Sequence, residues 1–254
     1  MRTHARALLA LSTLALAACA AGGGRPRLPE KVIDRALARA PGAAQPSNVV
    51  AAELAFSRAA RERGQWTAFR EFAAPNAQLH GPDGPFALAP WIATQTDPKE
   101  AVQWSPRVIA MSCDGALAVS KGRFRNPDGT VGGFVTVWER QGDGEYRYVF
   151  DVGADDNPQP PPKQQAEEGD IIVTALDVVQ GLIASCPRPG APVPPPPALP
   201  IGADGKEGAT LSRDGTLRWR WQHRADGTRF IAADYFYEGR WTTPIEQSLA
   251  PASK

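Results

Sequence analysis

From Val102 onward, apolar residues recur at every second position, and the breaks between runs are short enough only for hairpins. Four strands follow: 102–112, 116–125, 133–141 and 145–152. The separators are Asp114-Gly115, Asn126-Pro127-Asp128-Gly129 and Gly142-Asp143-Gly144, which supply the side-chain acceptors and glycines of tight turns. Strands joined in this way pair antiparallel. In the third strand Phe134, Thr136 and Trp138 face one way and Val135 and Val137 the other; in the fourth, Tyr146, Tyr148 and Phe150 share a face. Large apolar groups on both faces require a sheet covered on both sides.

Helices upstream supply one cover. Residues 49–63 are rich in Ala, Leu, Glu and Arg, good helix formers, with Ser47 or Asn48 placed to cap them and Gly64 to end them. Ala52, Phe56, Ala59 and Arg63 form the expected stripe, flanked by Val49 and Ala55. A second helix carries Trp66, Phe69 and Phe72 and stops before Pro75. A short strand is expected at 77–80 and a short helix with Trp91 at 88–94.

The tail returns to β pattern. Ser112-Cys-Asp114-Gly115-Ala-Leu117 is echoed by Ser212-Arg-Asp214-Gly215-Thr-Leu217, each followed by a strand and then Asp-Gly-Thr, at 128–130 and 226–228. Phe134 matches Phe230, and Gly144 before Tyr146 matches Gly239 before Trp241. Two readings stand, a partial duplication of three strands or generic turn chemistry. In 217–224, Leu217, Trp219 and Trp221 alternate with Arg218, Arg220 and Gln222, which predicts one buried face and one solvated basic face. Between sheet and tail, 171–185 reads as a strand turning into a helix, and 188–200, with Pro194–Pro197, as an extended polyproline spacer.

The first eighteen residues carry Arg2 and Arg6, an apolar run from Ala7 to Ala18, and small residues before Cys19. These are the marks of an export signal. Leu16-Ala17-Ala18-Cys19 resembles the lipobox of bacterial lipoproteins, which implies a lipid on Cys19 and cleavage before it. With no Asp after Cys19, the resemblance implies an outer-membrane anchor facing the periplasm. Removing Cys19 from the count of 3 Cys leaves Cys113 and Cys186 as a candidate disulfide, the alternative being two unpaired thiols. A net charge of +1 provides no strong field for nucleic acid. His80 and His223 lie in no His/Cys cluster of ligand spacing, so neither a metal nor a cofactor is expected.

The helix Ala51-Ala-Glu-Leu-Ala-Phe-Ser-Arg-Ala-Ala-Arg-Glu-Arg-Gly64 with Trp66 and Phe69 resembles the opening of SnoaL-like proteins. Phe134-Val-Thr-Val-Trp138 with Tyr148-Val-Phe-Asp151-Val-Gly153 resembles their closing hairpin. These proteins belong to the nuclear transport factor 2 and ketosteroid isomerase superfamily. The resemblance implies an α+β fold, a curved antiparallel sheet wrapped on N-terminal helices as a cone with a pocket at its open end. The expected organisation is a signal peptide (1–18), a lipidated tether (19–46), the cone (47–153), a Pro-rich linker (154–200) with an apolar segment (171–186), and a C-terminal β-meander (201–254).

Isomerases, dehydratases and cyclases of that superfamily place an acid or base in an apolar cone, where burial raises a carboxylate's pKa. His80, Asp151, Tyr148 and Arg125 are the candidates here. The blander readings are a solvated loop for His80, and a strand-end cap or ion pair with Arg123 or Arg125 for Asp151. Trp66, Trp91, Trp104, Trp138 and Tyr148 are the candidate pocket walls. No nucleophile elbow, phosphate loop or metal motif accompanies them. The leading expectation is therefore a membrane-anchored, non-catalytic protein binding a small apolar ligand or a protein partner. The alternatives are an enzyme using Asp151 or His80 as base, and a structural module forming a homodimer.

Overall fold

The computed structural model describes residues 44–161, 178–188, 191–199 and 206–251. Cys19, the signal peptide, most of the tether and residues 171–177 of the apolar segment lie outside the described residues.

Helix α1 (Pro46–Arg63) opens the described chain. Pro46, not Ser47 or Asn48, sets its start: it occupies the first helical turn, where a missing N–H costs nothing, and no side chain caps the end. The buried stripe is Val49, Glu53, Phe56, Ser57, Ala59 and Ala60, rotated from the expected one. Ala55 is exposed, and Arg63 reaches outward to Glu71. Gly64 ends α1 with φ 111° and begins α2 (Gln65–Phe72). A side chain at Gly64 would strike the Asp97 carboxyl, which accepts from the backbone N–H groups of Trp66 (2.6 Å) and Thr67 (3.1 Å) and so satisfies the start of α2 from a distant loop.

Strand β1 (Ala73–Gly81), β2 (Gly84–Ala87) and helix α3 (Leu88–Ile92) lead to the meander: β3 (Gln103–Met111), β4 (Leu117–Arg125), β5 (Val131–Arg140) and β6 (Tyr146–Asp155). A further strand, β7 (Gln180–Ile183), completes a seven-stranded sheet in the order β2-β1-β6-β5-β4-β3-β7. The sheet is mixed rather than purely antiparallel, because β1 runs parallel to β6 and β7 parallel to β3. The described end of the apolar segment is thus strand, and the expected helix is not found in it.

The tail forms a second sheet, β8 (Lys206–Leu211), β9 (Leu217–His223), β10 (Arg229–Tyr237) and β11 (Arg240–Leu249), again a four-strand meander. Its turns match those of the first. Leu117 and Leu217 each accept from the backbone of Ser112 and Ser212, and both serines donate to the Asp two residues on. The two turns also meet: Asp114 N donates to Asp214 Oδ2 (2.9 Å) and Cys113 N to Thr216 Oγ1 (2.9 Å). The last hairpins differ. Residues 142–144 close a longer loop, whereas Glu238 (φ 49°) and Gly239 (φ 83°) make a two-residue turn.

The second sheet covers the convex face of the first. Val119, Val135, Val137, Phe150 and Val152 pack with Leu217, Trp219, Ile231 and Ile245 in one core, while α1 and α2 pack on the concave face around Phe56, Trp138 and Tyr148 in another. Both faces of β5 are covered, as its residues require. The outward face of β9 is not solvated: Arg218 is buried with Asp234, and Arg220 pairs with the same carboxyl. Residues 191–199 do not hang free either, since Pro194 O accepts from Trp241 Nε1 and Pro197 O from Arg218 Nη1. Cys113 and Cys186 form a disulfide with a Cα–Cα distance of 5.1 Å.

Candidate functional site

The aim of Asp151 follows from one extra residue. Trp138 pairs with Tyr148 and Val137 with Phe150, so Val149 is a bulge in β6. A bulge reverses the alternation of side chains beyond it. Phe150 therefore leaves the face it was expected to share with Tyr146 and Tyr148 and packs on Trp219 of the second sheet (ring centroids 4.7 Å). Asp151 turns to the concave side opposite Thr136, whose Oγ1 donates to its Oδ1 at 2.7 Å. Neither expected ion pair forms: Arg123 pairs with Asp156, and Arg125 donates to Gly129 O.

Asp151 and Thr136 line a cavity of about 1080 Å³. Trp66, Phe69, Trp91, Trp104, Phe124 and Phe134 form much of its wall. The rings brace one another, Trp66 edge-on to Trp91 at 5.1 Å and Phe56 edge-on to Trp104 at 4.7 Å. Of the expected wall residues, Trp138 and Tyr148 do not reach the cavity. Both are fully buried beneath it, with Tyr148 Oη donating to Phe69 O at 2.7 Å. Burial pushes the Asp151 carboxyl up to about 6, against the opposing hydrogen bond from Thr136.

Glu53, a buried carboxyl bonded to the wall residue Trp104, is a residue that sequence reasoning missed. It lies at 0 % exposure on the core face of α1, one turn before Phe56. Its carboxyl accepts from Ser120 Oγ, from Trp138 Nε1 (3.0 Å) and from Trp104 Nε1 (3.2 Å). Burial raises it to about 7, the nearby Asp151 charge adds to the rise, and the three donors oppose it. The available signal was spacing, because Val49, Glu53, Phe56 and Ala60 recur on one helical face.

His80 is in β1, 3 % exposed, and not in a solvated loop. It borders the cavity and meets the second sheet, with Nε2 3.1 Å from His223 Nδ1. Burial first, then His223 and Arg229, lower it to about 4, so it is neutral at physiological pH. Arg229 reaches the same border and donates to the carbonyls of His80 (3.2 Å), Gly153 (3.2 Å) and Ala250 (3.0 Å). The structure thus brings Asp151 and His80 to one cavity, Asp151 within it and His80 at the seam between the sheets. Among the described residues no three His, Cys, Asp or Glu side chains cluster as metal ligands.

No protein-family profile matches the chain, and no curated protein matches it. Solved structures do. A candidate ketosteroid isomerase from Parabacteroides distasonis is similar at 13 % identity and TM-score 0.35, over 41 % of this chain and 86 % of that one. Nuclear transport factor 2 from Cryptosporidium parvum is similar at 15 % identity and TM-score 0.32, over 41 % and 87 %. A nuclear transport factor 2-like superfamily protein from Salmonella enterica is similar at 17 % identity and TM-score 0.30, over 49 % and 93 %. These neighbours are of the type that the sequence resembles, and each likeness spans less than half of this chain. The chemistry of the site rests on its own geometry: an apolar chamber, a carboxyl with a raised pKa, and one hydroxyl in contact with it.

Proposed function

We propose that the chain binds a small, largely apolar ligand in the cavity, with Asp151 as its polar anchor. The observation that carries this reading is the aromatic-walled chamber of about 1080 Å³ into which the bulged strand turns Asp151. Pockets of this size with few, placed polar groups suit small molecules. Native mass spectrometry of the full chain with the neutral dye N-phenyl-1-naphthylamine, together with quenching of the wall tryptophans, tests it. Saturable one-to-one uptake, weakened by Leu79→Trp, which narrows the chamber, is the expected result; no uptake refutes the reading.

A second reading is favoured by the carboxyl at about 6 beside a hydroxyl in an aromatic-walled chamber. Asp151 then acts as a general base, removing a proton α to a carbonyl. Catalysed deuterium exchange into an enolisable ketone, rising through about pH 6 and lost in Asp151→Asn, is its signature. Absence of exchange over a ketone panel eliminates it.

The proposal includes an envelope location, with the chain held by a lipid on Cys19, because Leu16-Ala17-Ala18-Cys19 follows a charged and then apolar start. The Cys19→Ser chain then fails to take up labelled fatty acid and leaves the membrane fraction; unchanged labelling refutes the anchor.

A further inference from the structure

We infer that the ligand of the cavity is a hydrophobic cation, an amine or quaternary ammonium group held against Asp151 within the aromatic wall, its hydrocarbon part extending toward the mouth. This rests on the reading that the cavity binds a small apolar ligand and narrows that reading to one charge class.

The first support is the sign of the lining. Asp83, Asp151, Asp155 and Asp156 are among its lining residues. Among the described lining residues the one fixed positive charge is Arg229, whose Nη1 and Nη2 are turned to three backbone carbonyls and whose buried Nε has no hydrogen-bond partner among the described residues. Asp156 is paired with Arg123, and Asp155 accepts from the Asn126 amide at 2.7 Å. Lys206 touches the rim through Asp83 O. Asp151 has no cationic partner among the described residues, and its Oδ2 accepts no hydrogen bond among them. A carboxylate in an apolar chamber is costly until a counter-charge arrives. A neutral ligand leaves that cost in place, and an anion adds to it.

The second support is the wall. Ring faces carry negative potential and attract cations, most strongly when water is excluded. Trp66, Trp91 and Trp104 all line the chamber. Trp104 donates its Nε1, in the plane of the ring, to the Glu53 carboxyl, which fixes the ring's orientation. Aromatic wall and unpaired carboxyl thus select the same ligand chemistry independently.

Tryptophan-fluorescence titration of the full chain with three matched probes tests this: decyltrimethylammonium, 1-decanol and decanoate, each below its micellar concentration. The ammonium probe is expected to bind about tenfold more tightly than decanol, with decanoate weakest. In Asp151→Asn that preference shrinks toward unity, because the ammonium probe loses about tenfold more affinity than decanol does. The wild-type ranking decides the matter even if the variant is unstable. Decanol equal to or tighter than the ammonium probe overturns the inference and leaves ligand binding standing. An equal loss for both probes in a folded Asp151→Asn also overturns it. If no probe binds, both the inference and the binding function fail.

Discussion

The two meanders share strand order and turn chemistry, yet they treat buried carboxyls in opposite ways. In the second sheet Asp234 is 3 % exposed and closed on every side: Arg218 Nη2 lies at 2.6 Å, Arg220 Nε at 3.0 Å and Thr243 Oγ1 at 2.7 Å. Burial alone would raise it, but the donors from Arg220, Thr243 and Arg218 outweigh that and hold it below the usual carboxylate range. On the first sheet's side, Glu53 of α1 and Asp151 of β6 have hydroxyl and indole donors but no cation, and burial lifts both. A charge satisfied within the fold serves the fold. One left without a counter-charge beside an apolar chamber is what a ligand site requires.

Four predictions probe this contrast, from the largest effect to the smallest. Asp234→Ala strands Arg218 and Arg220 and should cost about 3–5 kcal/mol in urea unfolding; a loss below about 1 kcal/mol would break the account of the second sheet as a closed network. Joint Cys113→Ser and Cys186→Ser replacement opens the tie between the first sheet's turn and the strand-β7 segment, which itself bonds to the second sheet through Ser185 N and Phe236 O (2.8 Å). It should cost about 2–4 kcal/mol, read by the same method.

The third concerns pH. Glu53 has a folded pKa of about 7 against an ordinary value of 4.5, so the folded state holds the proton over that window and the unfolded state does not. Stability should therefore fall by about 2–3 kcal/mol as pH rises from 4.5 to 7. In Glu53→Gln that slope should flatten, whereas an unchanged slope removes Glu53 as its source. Asp234, held low, works in the other direction: its contribution is lost as pH falls below the unfolded carboxylate value. The smallest effect separates the matched turns. Asp214 accepts from the neighbouring turn at Asp114 N as well as within its own, whereas Asp114 Oδ1 serves its own turn. Asp214→Ala should cost about 1 kcal/mol more than Asp114→Ala; equal costs would mean that the cross-turn bond contributes nothing.

Much of the fold was legible because its signals are local. Asp-Gly turns and period-two runs announce strands wherever they occur, and the repeated Ser-x-Asp-Gly motifs do form matched turns in both sheets. The helices at Trp66 and Trp91 and the double cover of strand β5 follow from spacing alone. The site was less legible. Glu53 is an excellent helix former and reads as a surface residue until the rotation of α1 is known. The basic alternation in Leu217–His223 reads as a solvated face because Asp234, Thr243 and Pro197 approach it from elsewhere in the chain.

By itself, the sequence determined the strands, their hairpin order, and the need for cover on both sides of the first sheet, because backbone period and turn residues act over a few positions. The tertiary structure alone decided which face of β6 carries Asp151. Alternation from Tyr148 would send that carboxyl into the core between the sheets; the bulge at Val149, a matter of register against β5, sends it into the cavity. Register is settled by the summed packing of both faces, so one unpaired residue moved a charge from a place where it could not remain to a place where a ligand can meet it.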